Sequence, residues 1–281
     1  MFFNLDRRIF IGAFAAFLVS VLCGAIYAGN LDQFSKLTGT LDIAGGTAHV
    51  PVMKEAAQNI MAHNPKIRIT IAGGGSGVGV QKVGEGLVQI GNTGRPLTDK
   101  EIEKYGLKTF PFAIDGVAVI VHPKNPIKDL EASQAKKIFA GEIKNWKEAG
   151  GADAEIHLYT RDEASGTREV FWEKLLKKGP VADKANVVPS NGAMKVAIAQ
   201  DASAIGYMSI GHVDSSVKPI NIDGAEASQE NALNGTYGVV RKLYMNTKGA
   251  PTPLVQAFIE YILSTDGAKI IQKYGYIPLS K

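Results

Sequence analysis

The sequence predicts an α/β fold with mostly parallel sheets. Three observations support this class. Strand-like and helix-like patterns alternate along the chain, residues 67–72 (IRITIA) alternate in polarity like a half-buried strand, and residues 117–121 form the continuous apolar run of a buried strand. The composition agrees, because 45% of the 281 residues are hydrophobic and 21% are charged. These values are ordinary for a globular protein and exclude a disordered, collagen-like or coiled-coil architecture.

The predicted elements follow one another in the order of βαβ units. A strand over residues 40–44 precedes a helix over 51–62, and Pro51 suits the first turn of that helix. The later predicted elements are a helix over 80–87, a strand over 87–90, a helix opened by a capping box of Thr98 and Glu101, helices over 133–140, 167–178 and 193–200, strands over 156–160, 217–222 and 239–245, and two final helices capped by Thr252 and Thr265. No internal repeat or flexible linker divides the chain. Two domains would therefore be joined by crossing strands, for which residues 112–116 and 236–240 are the candidates.

The first 28 residues have the pattern of an export signal or a membrane anchor. Arg7 and Arg8 precede residues 9–28, which are almost all apolar or small. This pattern predicts a secretory signal cleaved after Ala28, by either the general or the twin-arginine route. The apolar stretch is also long enough to span a bilayer, so an uncleaved anchor is the alternative. The expected location is therefore periplasmic or extracytoplasmic. Cleavage would remove Cys23, the single cysteine, as suits an oxidising exterior.

Charge and residue types exclude several partners. The 31 Lys and Arg residues against 27 Asp and Glu give a net charge of +4, without a long run of like charges, so no nucleic-acid partner is expected. One cysteine and five scattered histidines form no recognisable metal motif. We therefore expect neither a metal nor another cofactor.

Three predicted turns share one arrangement, in which a strand ends at glycine with Ser or Thr and a helix begins directly afterwards. They are residues 45–48 (GGTA), 73–79 (GGGSGVG) and 161–168 (RDEASGTR). A helix N-terminus presents unpaired N–H groups, hydroxyls add donors, and Arg161 adds a charged fork suited to oxyanions. Ordinary helix capping explains any one of these turns. The three together favour an anion-binding site.

Motifs of nucleotide-binding proteins and hydrolases are absent from these turns. Residues 73–79 lack the GK[ST] of a Walker A loop and do not match GxGxxG. Ser76 is followed at the second position by Val78 instead of the glycine of a nucleophile elbow. A phosphate-ester hydrolase is therefore an alternative without support from the residues, and we expect a binding protein, not an enzyme.

At these turns the chain resembles the periplasmic phosphate-binding proteins of high-affinity phosphate ABC importers. The likeness covers nearly all of residues 40–279, in the stretches GGGSG, AIDGVAVIV, GEIKNWKEAGG, RDEASGTRE, PSNGA, AIGY, LNGTY, LYMNTKG and GYIPL. It implies a two-lobed, type II periplasmic-binding-protein fold whose lobes are joined by two crossing strands and close on one phosphate. We expect the first lobe at residues 41–113 plus 239–281 and the second at 114–238. The implied partners are inorganic phosphate and an ABC permease, and the protein is expected to be a monomer.

The resemblance also implies the binding residues. They are Thr47, Ala48, Ser76, Arg161, Ser165, Gly166 and Thr167. The family's first turn more often has a hydroxyl where Ala48 stands, and some members have an aspartate in the loop that corresponds to residues 91–95, which contains none here. Asp115 is the nearest candidate for that carboxylate. There it would accept a proton from hydrogen phosphate and so disfavour sulfate, which has no proton to donate. Arg95 is a candidate for the edge of the cleft.

The expected function is extracytoplasmic capture of inorganic phosphate and its delivery to an ABC permease. Two alternatives remain open at this stage. The ligand could be another tetrahedral oxyanion, such as sulfate, molybdate or tungstate, or the chain could be a phosphate sensor anchored in the membrane through residues 9–28.

Overall fold

The computed structural model describes residues 31–279, in which helices and strands alternate along most of the chain. The predicted signal or anchor, residues 1–28, lies outside the described residues. The α-helices are α1 (Val50–His63), α2 (Ser76–Gly84), α3 (Asp99–Tyr105), α4 (Ala132–Phe139), α5 (Gly166–Lys174), α6 (Asn191–Gln200), α7 (Gln229–Asn234), α8 (Pro253–Ile262) and α9 (Thr265–Lys273). The strands are β1 (Gly39–Gly45), β2 (Ile67–Gly74), β3 (Ile90–Thr93), β4 (Leu107–Val121), β5 (Asp129–Leu130), β6 (His157–Arg161), β7 (Asn186–Val188), β8 (Ala204–Ser209), β9 (Lys218–Pro219), β10 (Asn221–Ile222), β11 (Val240–Lys248) and β12 (Ile277–Pro278). Short 3-10 helices cover Leu31–Phe34, Thr47–His49, Trp146–Ala149 and Ile210–His212.

Most strands belong to one mixed sheet in the order β2–β1–β3–β11–β4–β8–β6–β7, and β9 and β12 also pair with β4. The pairing is parallel towards both edges, between β1 and its neighbours β2 and β3 and between β6 and its neighbours β7 and β8. It is antiparallel in the middle, where β4 pairs with β11 and β8. The predicted α/β class is confirmed, and the antiparallel pairs are those made by the strands that cross between the two halves of the sheet.

The buried apolar side chains form two main clusters, and these define two lobes. The cluster of the first lobe is drawn from residues 34–113 and 243–276, and that of the second lobe from residues 117–239. The chain passes between the clusters along β4 and at the start of β11. There the two strands pair, with Asp115 opposite Arg241. The architecture is therefore two-lobed, with two crossing strands.

Helix α1 shows how the sequence sets the position of a binding turn. Its apolar residues Val52, Ala56 and Ile60 recur at helical spacing and are fully buried in the first lobe. Pro51 lies in the first turn, where its missing N–H removes no helical hydrogen bond. The packed helix holds the preceding 3-10 turn, which begins at Thr47, against the end of β1.

Helix α2 begins earlier than the sequence predicts, at Ser76 instead of residue 80, and β3 correspondingly begins at Ile90. The prediction treated the glycines of this segment as loop residues. Gly79 lies inside the helix, however, and packs so closely on the sheet that a Cβ would lie 2.5 Å from the carbonyl oxygen of Asn92. Close packing of α2 against β1 and β3 therefore outweighs the low helix propensity of glycine.

Other boundaries also differ from the prediction; β4, for example, begins at Leu107 instead of residue 117. Helix α5 ends at Lys174, and the chain beyond it turns through Lys177 with a φ of 53°. The strand expected over residues 217–222 is divided into β9 and β10. The cap of α9 is Ser264, whose hydroxyl accepts a hydrogen bond from the helix, and not Thr265. None of the helices within residues 31–279 has the length and apolar character needed to span a membrane.

Candidate functional site

The three glycine-containing turns meet between the lobes, at the carboxyl ends of their strands. Thr47 follows β1, Ser76 is the first residue of α2 after β2, and Ser165 caps α5 after β6. Gly75 has a φ of 92°, and a Cβ there would lie 2.6 Å from the carbonyl oxygen of Ala164 in the other lobe. Only glycine allows this approach. The N-termini of α2 and α5 therefore face each other across the cleft, where their dipoles favour an anion.

A small cavity lies where these turns meet. Its volume is about 10 Å³, which is far below the roughly 300–1,000 Å³ of pockets for drug-sized ligands. It is lined by Gly46, Thr47, Ala48, His49, Gly75, Ser76, Gly94, Arg161, Ser165, Gly166, Thr167 and Arg241. Every predicted binding residue except Asp115 is among them. A cavity this small excludes a drug-sized ligand.

Two of the lining hydroxyls accept hydrogen bonds from the opposite lobe. Thr47 Oγ1, in the first lobe, accepts from the backbone N–H and the side-chain amide of Asn191 at 3.3 and 3.1 Å. Thr167 Oγ1, in the second lobe, accepts from Arg241 Nη1 at 2.9 Å. The lobes are therefore in direct polar contact around the cavity, which is a closed arrangement.

The other two hydroxyls accept hydrogen bonds from backbone groups. Ser76 Oγ accepts from the N–H of Gly94 at 3.0 Å, and Ser165 Oγ accepts from the N–H of Arg168 at 3.2 Å. None of the four lining hydroxyls donates to an acceptor within residues 31–279. Each hydroxyl oxygen accepts at least one hydrogen bond from the protein, so its proton remains available to a ligand. All four hydroxyls can therefore donate a hydrogen bond to a ligand in the cavity.

Arg161 gives the cavity a positive charge. It is 2% exposed, and its Nε and Nη2 each donate to a backbone carbonyl oxygen at 2.9 Å, those of Val188 and Pro189. Its Nη1 has no partner within the described chain, where Asp162, at 4.0 Å, is the one carboxylate that comes near the guanidinium. Burial lowers the pKa of Arg161, but an arginine pKa begins so high that the group stays charged near neutral pH. A buried charge with an unpaired donor favours an anion.

Arg241 is a lining residue that sequence reasoning missed. Its Nε and Nη2 donate to Asp115 Oδ2 at 2.9 and 2.7 Å, across the paired strands β11 and β4. The pattern of β11 contains a signal for it, because Arg241 shares the buried face of the strand with Leu243 and Met245. A charged side chain on a buried face requires a partner or a ligand.

Asp115 does not line the cavity, whereas the sequence predicts that it faces the ligand. Its carboxylate is buried, with Oδ2 bound by Arg241 and Oδ1 accepting from the Ser209 hydroxyl at 2.8 Å. Burial raises the pKa of Asp115, and the charge and hydrogen bonds of Arg241 oppose that rise. Both oxygens are engaged, so the carboxylate holds Arg241 in position instead of contacting the cavity.

Arg95 lies at the edge of the cleft and not in the cavity. Its Nη1 and Nη2 donate to the two carboxylate oxygens of Glu101 at 2.8 and 2.7 Å, and its Nε lies 2.7 Å from Glu169 Oε2 in the second lobe. The hydrogen bonds from Arg95 to Glu101 raise the pKa of the guanidinium. Arg95 therefore joins the lobes through its ion pair with Glu169, and the carboxylates of Glu101 and Glu169 balance its charge.

His49 also lines the cavity but brings no charge near neutral pH. The ring is fully buried and packs against Phe112, with the ring centroids 5.4 Å apart. Burial, together with the charge of Arg241, lowers the pKa of His49 to about 3. The positive charge at the cavity therefore belongs to the arginines.

The described groups that line the cavity are those of an anion-binding site. No acidic side chain of residues 31–279 lines the cavity, and the same residues include no cluster of His, Cys, Asp or Glu able to hold a metal ion. An activated hydroxyl nucleophile donates its proton to a neighbouring base, whereas none of the lining hydroxyls has such a partner in the described part of the chain. The geometry supports reversible capture of an anion.

Comparison with known proteins agrees with this geometry. The PBP superfamily domain matches residues 33–266, which is more than half of the chain. The chain is 38% identical to the phosphate-binding protein PstS of Bacillus subtilis, over 87% of this chain and 82% of that protein. It is 32% identical to PstS of Pseudomonas aeruginosa, over 88% and 85% of the two chains.

Solved structures are similar over comparable lengths. A candidate phosphate ABC transporter substrate-binding protein from Clostridium perfringens, with bound phosphate, has a TM-score of 0.82 and 36% identity over 86% of this chain and all of that one. An ABC-type phosphate transport receptor from Vibrio cholerae has a TM-score of 0.69 and 33% identity over 84% and 99% of the two chains. By family match, sequence and fold alike, the chain belongs to the PBP superfamily and, within it, to the PstS family of phosphate-binding proteins.

Proposed function

We propose that this protein binds inorganic phosphate outside the cytoplasmic membrane and delivers it to the permease of an ABC transporter. The observation that carries the proposal is the set of donors that the cavity lining offers. Four hydroxyls and the unpaired Nη1 of Arg161 are available, and no described acidic side chain takes part. Oxygens of a tetrahedral anion accept hydrogen bonds from such donors. The names of the relatives support phosphate as that anion.

The proposed binding residues are those that line the cavity and carry donors. They are Thr47, Ala48, Ser76, Arg161, Ser165, Gly166 and Thr167, together with Arg241. Asp115 holds Arg241 in position by accepting its hydrogen bonds, and Arg95 joins the lobes at the edge of the cleft.

The proposed division into moving bodies follows the two apolar clusters. Residues 41–113 with 239–281 form one lobe, and residues 114–238 form the other. The observation that the two clusters change over within the paired segments of β4 and β11 supports a hinge there. Closure about this hinge would bring the two groups of donors onto one phosphate.

The proposed location and partner depend on the family and on the N-terminal pattern. Residues 1–28 have the composition of a signal or anchor, and the relatives are named as phosphate-binding proteins. The chain would act as a monomeric, non-enzymatic receptor that passes its ligand to membrane subunits.

Titration calorimetry of the purified protein tests the ligand. Phosphate, sulfate, molybdate and tungstate are each titrated at the same pH and ionic strength. Phosphate is expected to bind most tightly, with one ion per chain. Tighter binding of sulfate or of the larger oxyanions, or no binding of phosphate, would overturn the proposal.

A further inference from the structure

Cross-lobe hydrogen bonds reach two of the hydroxyls that line the cavity, one in each lobe. Asn191 of the second lobe donates to Thr47 of the first, and Arg241 of the first lobe donates to Thr167 of the second. In each case the acceptor is a hydroxyl that lines the cavity. Asn191 itself does not line it. Each lobe therefore fixes one hydroxyl of the opposite lobe.

The contact with Asn191 determines what the Thr47 hydroxyl can do. A hydroxyl oxygen has two lone pairs and one proton. The backbone N–H and the side-chain amide of Asn191 direct two donors at Thr47 Oγ1. With both lone pairs used, the hydroxyl can act towards the cavity only as a donor, which is the role that an oxyanion requires.

The position of the Asn191 side chain is itself fixed. The residue is fully buried at the start of α6, directly after the capping residue Ser190. Its Oδ1 accepts a hydrogen bond from the N–H of Ser209 at 3.1 Å, and this acceptor role leaves Nδ2 facing Thr47. The amide is therefore oriented within the second lobe before it meets the first.

We propose that Asn191 is a positioning residue for phosphate, which acts by orienting the Thr47 hydroxyl when the lobes close. This inference rests on the proposed function. Because Asn191 and Thr47 belong to different lobes, their contact exists only in the closed arrangement. Its loss should therefore speed the release of phosphate and leave the association rate nearly unchanged.

The test is a double-mutant cycle with inorganic phosphate, using Asn191→Ala, Thr47→Val and both changes together. Asn191→Ala is expected to weaken phosphate binding about tenfold. The change should appear in the dissociation rate, measured by chasing bound radiolabelled phosphate with unlabelled phosphate. In the Thr47→Val background the same substitution should cost less than about twofold, because the hydroxyl that Asn191 orients is absent. Equal losses in the two backgrounds, or an unchanged dissociation rate, would overturn the inference.

Asn64→Ala is the matched control. Asn64 is also a buried asparagine, but its Nδ2 donates to carbonyl oxygens of Phe34 and Leu37, away from the cavity. This variant should lose stability and keep the dissociation rate of phosphate. If Asn191→Ala does not fold, Asn191→Leu replaces it in the cycle, since leucine has a similar volume and no group that can donate to Thr47. Failure of the parent protein to bind phosphate would instead contradict the proposed function.

Discussion

Arg161 and Arg241 approach the same cavity from opposite lobes, but their charges are balanced differently. Arg161 is held by backbone carbonyl oxygens and has an unpaired Nη1. Arg241 forms two hydrogen bonds with the buried carboxylate of Asp115 and one with Thr167. The charge of Arg161 is thus available to an anion, whereas that of Arg241 is largely used within the protein.

The difference indicates that one arginine serves mainly binding and the other mainly structure. A charge that is compensated by a buried partner contributes less to an incoming ligand, but removing it leaves the partner uncompensated. A buried charge that is held mainly by backbone carbonyl oxygens contributes more to an incoming ligand, and its removal leaves no buried carboxylate without a partner. The following substitutions separate the two roles.

Arg241→Gln should have the largest effect, and the effect should be on stability. The substitution leaves Asp115 buried without its ion-pair partner, which is expected to lower the free energy of unfolding by about 3–5 kcal/mol. Urea denaturation without phosphate measures it. Arg161→Gln, which strands no carboxylate, is the control and should lose less than half as much. Equal losses would show that the two charges are balanced alike.

Arg161→Ala should have the next largest effect, on binding. It removes the unpaired donor and the charge, which is expected to weaken phosphate binding ten- to a hundredfold, or about 1.5–3 kcal/mol. Calorimetry at fixed salt measures it. Arg68→Ala, at an exposed position of β2, removes the same charge from the surface and should leave the affinity nearly unchanged. An Arg161→Ala variant that binds like the parent would remove this arginine from the site.

These two arginines also show what the sequence could and could not reveal. Arg161 stands beside a glycine-and-hydroxyl turn at a helix start, which is a local pattern that residue order displays directly. Arg241 and Asp115 are separated by 126 positions and meet through the register of two crossing strands. No local pattern encodes that register, so residue order alone cannot reveal that Asp115 and Arg241 form a pair.

The same limit explains why the predicted bounds and pairing of some helices and strands were wrong. The alternation of strands and helices, the turns and most of the cavity residues follow from short-range patterns. The start of α2 depends instead on how closely Gly79 approaches Asn92, and the antiparallel middle of the sheet depends on how β4 and β11 pair. Both are long-range contacts.

The stability of the protein should also depend on a residue of the cavity lining that titrates in acid. His49 lines the cavity, and burial lowers its pKa to about 3, whereas its pKa in the unfolded chain has the ordinary value of 6.5. Between these values the unfolded state takes up a proton that the native state does not. The free energy of unfolding should therefore fall as the pH drops below 6.5, by up to about 1.4 kcal/mol per pH unit for this group.

Thermal unfolding followed from neutral to acid pH measures the effect. His49→Gln should lose part of the pH dependence because it removes this titrating group. His63→Gln, which replaces an exposed histidine, should keep the contribution of His49. If the His49→Gln variant has the full slope of the parent, the acid response originates elsewhere.

The smallest effect is expected from Asp115→Asn, on the selectivity for phosphate over sulfate. This substitution tests whether Asp115 serves Arg241 or the ligand. A carboxylate that faced the ligand would accept the proton of hydrogen phosphate and exclude sulfate, so its replacement by an amide would narrow the gap between the two anions. In the structure Arg241 and Ser209 occupy both oxygens of Asp115, and the side chain does not line the cavity. Any change in the charge or position of Arg241 then acts on phosphate and sulfate alike. The ratio of their affinities, measured by calorimetry at one pH and salt concentration, should therefore stay within about twofold, since a lost direct contact would change it by roughly 1–3 kcal/mol. A clearly smaller ratio of phosphate affinity to sulfate affinity in Asp115→Asn would show instead that Asp115 contacts the ligand and contributes to specificity.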